Sequence, residues 1–225
     1  MNHVLTVTVL LALASVAAHA QPLCSSDGQP HPTAILERFI NADCQACWGD
    51  AHTPRPARGE VALDWIVPGS RGDDAPLSAA ARQDASDRLA ALQLAVPAAS
   101  DIRRQKSMGD AGPLRVARGL AINDYLGGLI ELAQPLPGRW SAWLVLVETI
   151  PAGVEGTPVA RNLVRNVLQL DWTVGPKAGS EPLVESRPMQ IPEGAQPARL
   201  RVVGWVQDAR GRIRGIAQSA RCAEN

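Results

Sequence analysis

Four cysteines place the tightest constraint on how this chain of 225 residues can fold. Cys44 and Cys47 lie three residues apart, whereas Cys24 and Cys222 lie far apart along the chain. An even number of cysteines in an exported chain indicates disulfide bonds, and four cysteines allow three pairings. We expect a local bond between Cys44 and Cys47 and a second bond, between Cys24 and Cys222, that joins the two ends of the fold.

The first twenty residues predict export. They contain no Lys, Arg, Asp or Glu, and the run Val4–Ala14 is apolar. Ala18-His19-Ala20 supplies small residues at the two positions that a signal peptidase reads, which predicts cleavage before Gln21. Because the apolar run is short for a membrane span, we expect residues 1–20 to be a cleaved signal peptide. The mature protein is then periplasmic or secreted, with no stable membrane anchor.

The charge balance argues against two classes of partner. The chain has 22 Lys and Arg and 22 Asp and Glu, a formal net charge of zero. A nucleic acid or an anionic membrane surface calls for an excess of positive charge, so we expect neither as a partner. The sequence has no G-x-S-x-G motif and no phosphate-binding loop, and we expect no cofactor.

Apolar periodicity predicts a mixed α/β pattern up to about residue 137. Glu60–Val67 alternates as a strand, and residues 76–94 carry apolar residues at helical spacing. Ala34–Ile40 fits a strand or a short helix, because periodicity does not settle so short a run. We also expect a short strand over residues 113–119 and a second helix over residues 123–133.

From residue 138 the pattern is that of antiparallel β-structure. Trp140–Thr149 and Arg161–Val174 are long extended segments, and residues 175–198 are rich in Pro and Gly and predict a loop. Leu200–Val206 and Ile213–Ser219 predict a hairpin. This order of elements favours a thioredoxin-like layer followed by a small β-domain.

Cys44-Gln45-Ala46-Cys47 is the motif that could carry chemistry. Two cysteines three apart at the start of a helix can form a redox-active pair, since a helix N-terminus favours a thiolate. Negative charge at Asp43 and Asp50 opposes this, because it raises the pKa of a thiol. Two alternatives to a redox-active pair remain. The cysteines could form a structural disulfide, or they could bind Cu(I) or Zn together with His52. We interpret His52 as a solvated loop residue and predict no metal site.

Several segments resemble a secreted, thioredoxin-like bacterial family classed as a domain of unknown function. The similar segments are Ile35–Cys47, Val61–Val67, Arg161–Val167 and Trp205–Gln218. The resemblance implies a thioredoxin-like fold with a β-rich extension in the envelope of a Gram-negative bacterium, and no established substrate. It also implies a cis-proline facing the cysteines, and Pro113 is the matching residue.

We therefore predict an α/β (α+β) protein with a thioredoxin-like domain at 21–137 and an antiparallel β-domain at 138–225. Its predicted activity is thiol–disulfide exchange with a protein partner. Cys44 would attack, Cys47 would resolve, and Pro113 would present the substrate strand. Two alternatives are a non-enzymatic envelope protein, with structural disulfides and a partner-binding β-domain, and a Cu(I)-handling protein.

Overall fold

Eleven β-strands are the main secondary structure of the part of the chain that the computed structural model describes, residues 24–109, 111–175 and 181–222. The predicted signal peptide lies outside these residues. The strands are β1 Cys24–Ser25, β2 Ala34–Asn41, β3 Glu60–Val67, β4 Ser100–Lys106, β5 Leu114–Arg118, β6 Tyr125–Leu132, β7 Gly138–Ile150, β8 Arg161–Val174, β9 Leu183–Gln190, β10 Leu200–Asp208 and β11 Ile213–Gln218. The α-helices in the described residues are α1 Gln45–Trp48 and α2 Gln83–Ala91, and short 3-10 helices lie at Gly72–Asp74, Ser78–Ala80 and Pro197–Arg199.

The strands form two sheets. One has seven strands in the order β11-β10-β7-β8-β3-β2-β4, and the other has four in the order β1-β5-β6-β9. The β2–β3 and β3–β8 pairs are parallel, and the remaining pairs are antiparallel. The predicted domain boundary after residue 137 falls between β6 and β7, and strands from both sides of it share the seven-stranded sheet.

The prediction of a thioredoxin-like α/β fold is wrong. The predicted helix over 76–94 is reduced to α2 and one 3-10 turn, and the predicted helix over 123–133 is strand β6. In β6 every second residue is buried, including Leu126, Ile130 and Leu132, so burial repeats every two residues rather than every 3.6. Gly127 and Gly128 also disfavour a helix in this segment.

The sequence pattern does not reveal the two long edge strands β4 and β9. β4 falls in the polar stretch 99–112, and β9 falls in the segment 175–198 that was predicted to be a loop. An edge strand carries exposed polar residues, which weakens the alternation that identifies strands in a sequence. The more apolar strands β3, β5, β7 and β8 and the β10–β11 hairpin are confirmed.

The seven-stranded sheet packs on both faces. On one face, Leu144 and Val202 meet Val116 and Ile130 of the four-stranded sheet. A Cβ atom on Gly204 would lie 2.6 Å from Val116 Cγ1, so glycine allows the two sheets to approach closely here.

Helix α2 covers part of the opposite face. Its Ala85 and Leu89 join the apolar cluster there, and its Arg88 is buried. The Arg88 guanidinium carbon lies 4.8 Å from the ring centroid of Trp143 and 5.0 Å from that of Trp205. The same guanidinium donates to both carboxylate oxygens of Glu37, at 2.8 and 2.9 Å, so the buried charge is paired.

Both predicted disulfides are confirmed. Cys24 bonds to Cys222 across a sequence separation of 198 residues, and Cys44 bonds to Cys47. The long bond ties β1 of the four-stranded sheet to the segment that follows β11 of the seven-stranded sheet.

We predict that replacing Cys24 and Cys222 together by alanine lowers the free energy of unfolding by about 5 kcal/mol, because a very long loop is released. The matched control replaces Cys44 and Cys47, which close a short loop, and should cost only about 2 kcal/mol. Urea unfolding followed by tryptophan fluorescence measures both. Equal losses would contradict the loop-length explanation.

Candidate functional site

The Cys44–Cys47 disulfide lies where the chain leaves the carboxyl end of β2. The N–H of Ala42 donates to Val67 O at 2.8 Å, and the N–H of Cys44 donates to Asn41 O at 2.9 Å, so the segment stays tied to the sheet. Cys44 caps α1, and its sulfur accepts the N–H of Cys47 at 3.2 Å. Both cysteines are half-buried, so a partner could reach the bond from solvent.

Three hydrogen-bond donors hold the Asp43 carboxylate in place. Its carboxylate accepts the N–H of Ser70 at 2.8 Å, the hydroxyl of Ser70 at 2.9 Å and the N–H of Arg71 at 3.3 Å. Burial acts to raise the pKa of Asp43, but these hydrogen bonds outweigh it and bring the pKa below its ordinary value. The carboxylate therefore stays ionised at neutral pH.

Asp50 adds a second negative charge after α1. The backbone N–H of His52 donates to it at 2.8 Å and lowers the pKa of Asp50, against the opposing effect of burial. His52 itself is 95% exposed. The two carboxylates that flank the cysteine pair in the sequence are therefore both charged at neutral pH.

The buried guanidinium of Arg161 holds the cysteine motif in place through hydrogen bonds. It donates to the carbonyl oxygens of Cys47 at 3.4 Å and of Trp48 at 2.8 Å, and to Thr53 Oγ1 at 3.1 Å. Its central carbon also lies 5.0 Å from the ring centroid of Trp48. Arg161 stands at the start of β8, more than one hundred residues from the cysteines, and no local pattern in the sequence indicates a contact between the two segments.

Asp64, at 0% exposure in β3, pairs with two buried arginines. Its Oδ1 accepts from Arg161 at 3.1 Å, and its Oδ2 accepts from Arg38 and from the N–H of Asn162. Arg38 also donates to Pro54 O at 3.1 Å, in the loop that follows the cysteines. One carboxylate thus connects β2, β3, β8 and the cysteine loop.

Pro113 and the cysteine pair adjoin strands of different sheets. Pro113 precedes β5 of the four-stranded sheet, where its carbonyl accepts the N–H of Ala133 at 2.9 Å, whereas the cysteines follow β2 of the seven-stranded sheet. The peptide bonds of the described residues, including that of Pro113, are all trans.

The other cysteines and the other histidine of the described chain have partners elsewhere in the fold. Cys24 is bonded to Cys222, and His31 Nδ1 lies 3.4 Å from Ile216 O. Within residues 24–109, 111–175 and 181–222, no group of three or more His, Cys, Asp and Glu side chains is arranged to hold a metal ion. None of the helices in those same ranges is long and apolar enough to cross a membrane.

We found no match to a family model, to a curated protein or to a solved structure.

Changing Asp64 to Asn should strongly destabilise the protein, because it removes the negative charge that two buried guanidinium groups share. We expect the free energy of unfolding to fall by about 3–5 kcal/mol, measured by urea denaturation. Asp101→Asn is the matched control, since Asp101 pairs with Arg103 near the surface at 2.8 Å and should change stability by less than about 1 kcal/mol. A similar small loss for Asp64→Asn would show that the buried network contributes little.

Proposed function

We propose that the protein is an exported thiol–disulfide oxidoreductase that uses the Cys44–Cys47 pair on a two-sheet β scaffold. The observation that supports this best is the contact of 3.2 Å between the N–H of Cys47 and the sulfur of Cys44, at a bond that solvent can reach. In the reduced protein this N–H would donate to a Cys44 thiolate, and hydrogen bonding to the charged form lowers the pKa of a thiol.

The proposed exchange proceeds in two steps. The Cys44 thiolate attacks one sulfur of a partner disulfide, a bond forms between the two sulfurs, and the second partner sulfur leaves as a thiolate. The Cys47 thiolate then attacks Cys44 Sγ, restores the Cys44–Cys47 bond and releases the first partner sulfur. The partner disulfide is reduced to two thiols, the cysteine pair is oxidised, and protons are exchanged with solvent. The reverse sequence oxidises a partner dithiol.

Export agrees with this chemistry. The apolar run and the Ala18-His19-Ala20 ending predict a signal peptide, and a protein with two disulfides suits an oxidising compartment. We therefore place the proposed activity in the periplasm or outside the cell.

A second candidate function, a non-enzymatic protein in which Cys44–Cys47 is structural, is favoured by the contacts of Arg161. That guanidinium already fixes the carbonyls of Cys47 and Trp48, and the local disulfide would complete the same rigid turn.

The reduction potential of the Cys44–Cys47 pair separates the two functions. We expect a value between about −120 and −270 mV, where exchange catalysts lie, from equilibration with glutathione buffers and thiol counting. The Cys24–Cys222 bond serves as the internal reference for a structural disulfide. A Cys44–Cys47 potential below about −300 mV would favour the structural function.

Changing Cys47 to Ser should trap partners. Without the resolving thiol, the mixed disulfide at Cys44 persists, and we expect adducts on denaturing, non-reducing gels that disappear on reduction. Cys44→Ser is the matched control and should trap little, because the attacking thiol is gone. Absence of adducts with the Cys47→Ser protein would count against exchange.

A further inference from the structure

An apolar cleft of about 260 Å³ opens beside the cysteine pair. Trp48, which directly follows Cys47, lines it together with Ile66, Leu77 and Leu163. Cys47 packs against the same apolar cluster, so Trp48 and its neighbours separate the cleft from the disulfide by about one side chain.

The size of the cleft suits one side chain. Pockets that hold whole small molecules span about 300–1,000 Å³, and this cleft is smaller. Its mouth is formed partly by Ala79, an exposed residue of the 3-10 helix Ser78–Ala80. A larger cavity of about 570 Å³ shares Ala79, Arg165 and Glu193 with the cleft, so an extended segment could continue beyond it.

The unpaired charge at the rim of the cleft is negative. Arg165 is neutralised by Glu148, to which its Nε donates at 2.8 Å, and Glu155 is neutralised by Arg199 at 2.8 Å. Glu193 is exposed and has no ion-pair partner among the residues that the structure describes.

Two further carboxylates flank the cysteines themselves. Asp43 and Asp50 both remain ionised at neutral pH because hydrogen bonds lower the pKa of each carboxyl group. Glu193 at the rim of the cleft, together with these two carboxylates next to the cysteines in the chain, complements an apolar side chain accompanied by Lys or Arg.

We propose that the partner is a polypeptide segment that places an apolar side chain in this cleft and a basic side chain against Glu193, next to the cysteine that Cys44 attacks. The proposal rests on the proposed exchange at Cys44 and specifies its substrate class. The apolar contact holds the segment, and the pair with Glu193 fixes its direction along the cleft.

The test uses the reduced Cys47→Ser protein and three synthetic peptides, each carrying one cysteine as a mixed disulfide with glutathione. The first has Leu and Lys beside the cysteine, the second has Asp in place of Leu, and the third has Glu in place of Lys. Mass spectrometry follows the rate at which Cys44 forms a disulfide with each peptide and releases glutathione. We expect the Leu and Lys peptide to react about tenfold faster than either of the others, since it alone makes both contacts.

Two added substitutions in the same protein locate the effect. Ala79→Trp fills the mouth of the cleft and should abolish the preference for Leu, whereas Ala90→Trp, on the exposed side of α2, should leave it unchanged. Glu193→Lys should reverse the preference between the Lys and Glu peptides, whereas Glu181→Lys, before β9, should not. Ala79 and Glu193 are exposed, so these proteins are expected to fold.

Reaction with oxidised glutathione alone separates failure of the cleft from failure of the activity. Equal rates for the three peptides, with normal reaction toward oxidised glutathione, would overturn the substrate preference and leave exchange intact. No reaction with any peptide or with oxidised glutathione would overturn the proposed exchange and the substrate preference together.

Discussion

The buried carboxylate of Asp64 holds together a sheet that its backbone joins only weakly at one seam. The β3–β8 pair has one registered position, Asp64 opposite Leu163, whereas β2 and β3 are paired along their whole length. Side chains supply the missing connections: Asp64 binds Arg161 and the N–H of Asn162, and the Asn162 amide donates to Ala62 O at 2.8 Å. The seven-stranded sheet therefore depends on a polar cluster at its centre.

The same cluster decides what surrounds the cysteine pair. Burying Arg161 is costly unless its donors are satisfied, and the carbonyls of Cys47 and Trp48 satisfy two of them. The turn that bears the disulfide is thus positioned by the interior of the sheet rather than by a long helix. This differs from a thioredoxin-like arrangement, in which a helix would follow the second cysteine, and it gives the pair a rigid base at a solvent-facing edge.

The sequence predicts the parts of this molecule that depend on local pattern. Strands such as β3 and β7 have apolar side chains on both faces, and the cysteine spacing identifies both disulfides. The interior network could not be predicted, because a charged residue in a sequence normally indicates a surface position and the partners of Arg161 lie far away along the chain. The thioredoxin-like prediction failed at β6, where helical and strand spacing both fit Leu126 and Ile130 and pairing with β5 and β9 selects the strand.

The bond between Cys24 and Cys222 closes a covalent ring that contains every residue the structure describes. An unfoldase that pulls on one terminus of a protein passes a single extended polypeptide through a narrow pore. In this protein, a force applied to either terminus would reach the Cys24–Cys222 disulfide before it reached the β-strands inside the ring. The pore would then have to admit two segments of polypeptide side by side. The bridge therefore shields the two sheets from mechanical extraction for as long as the surroundings keep it oxidised, whatever their thermodynamic stability.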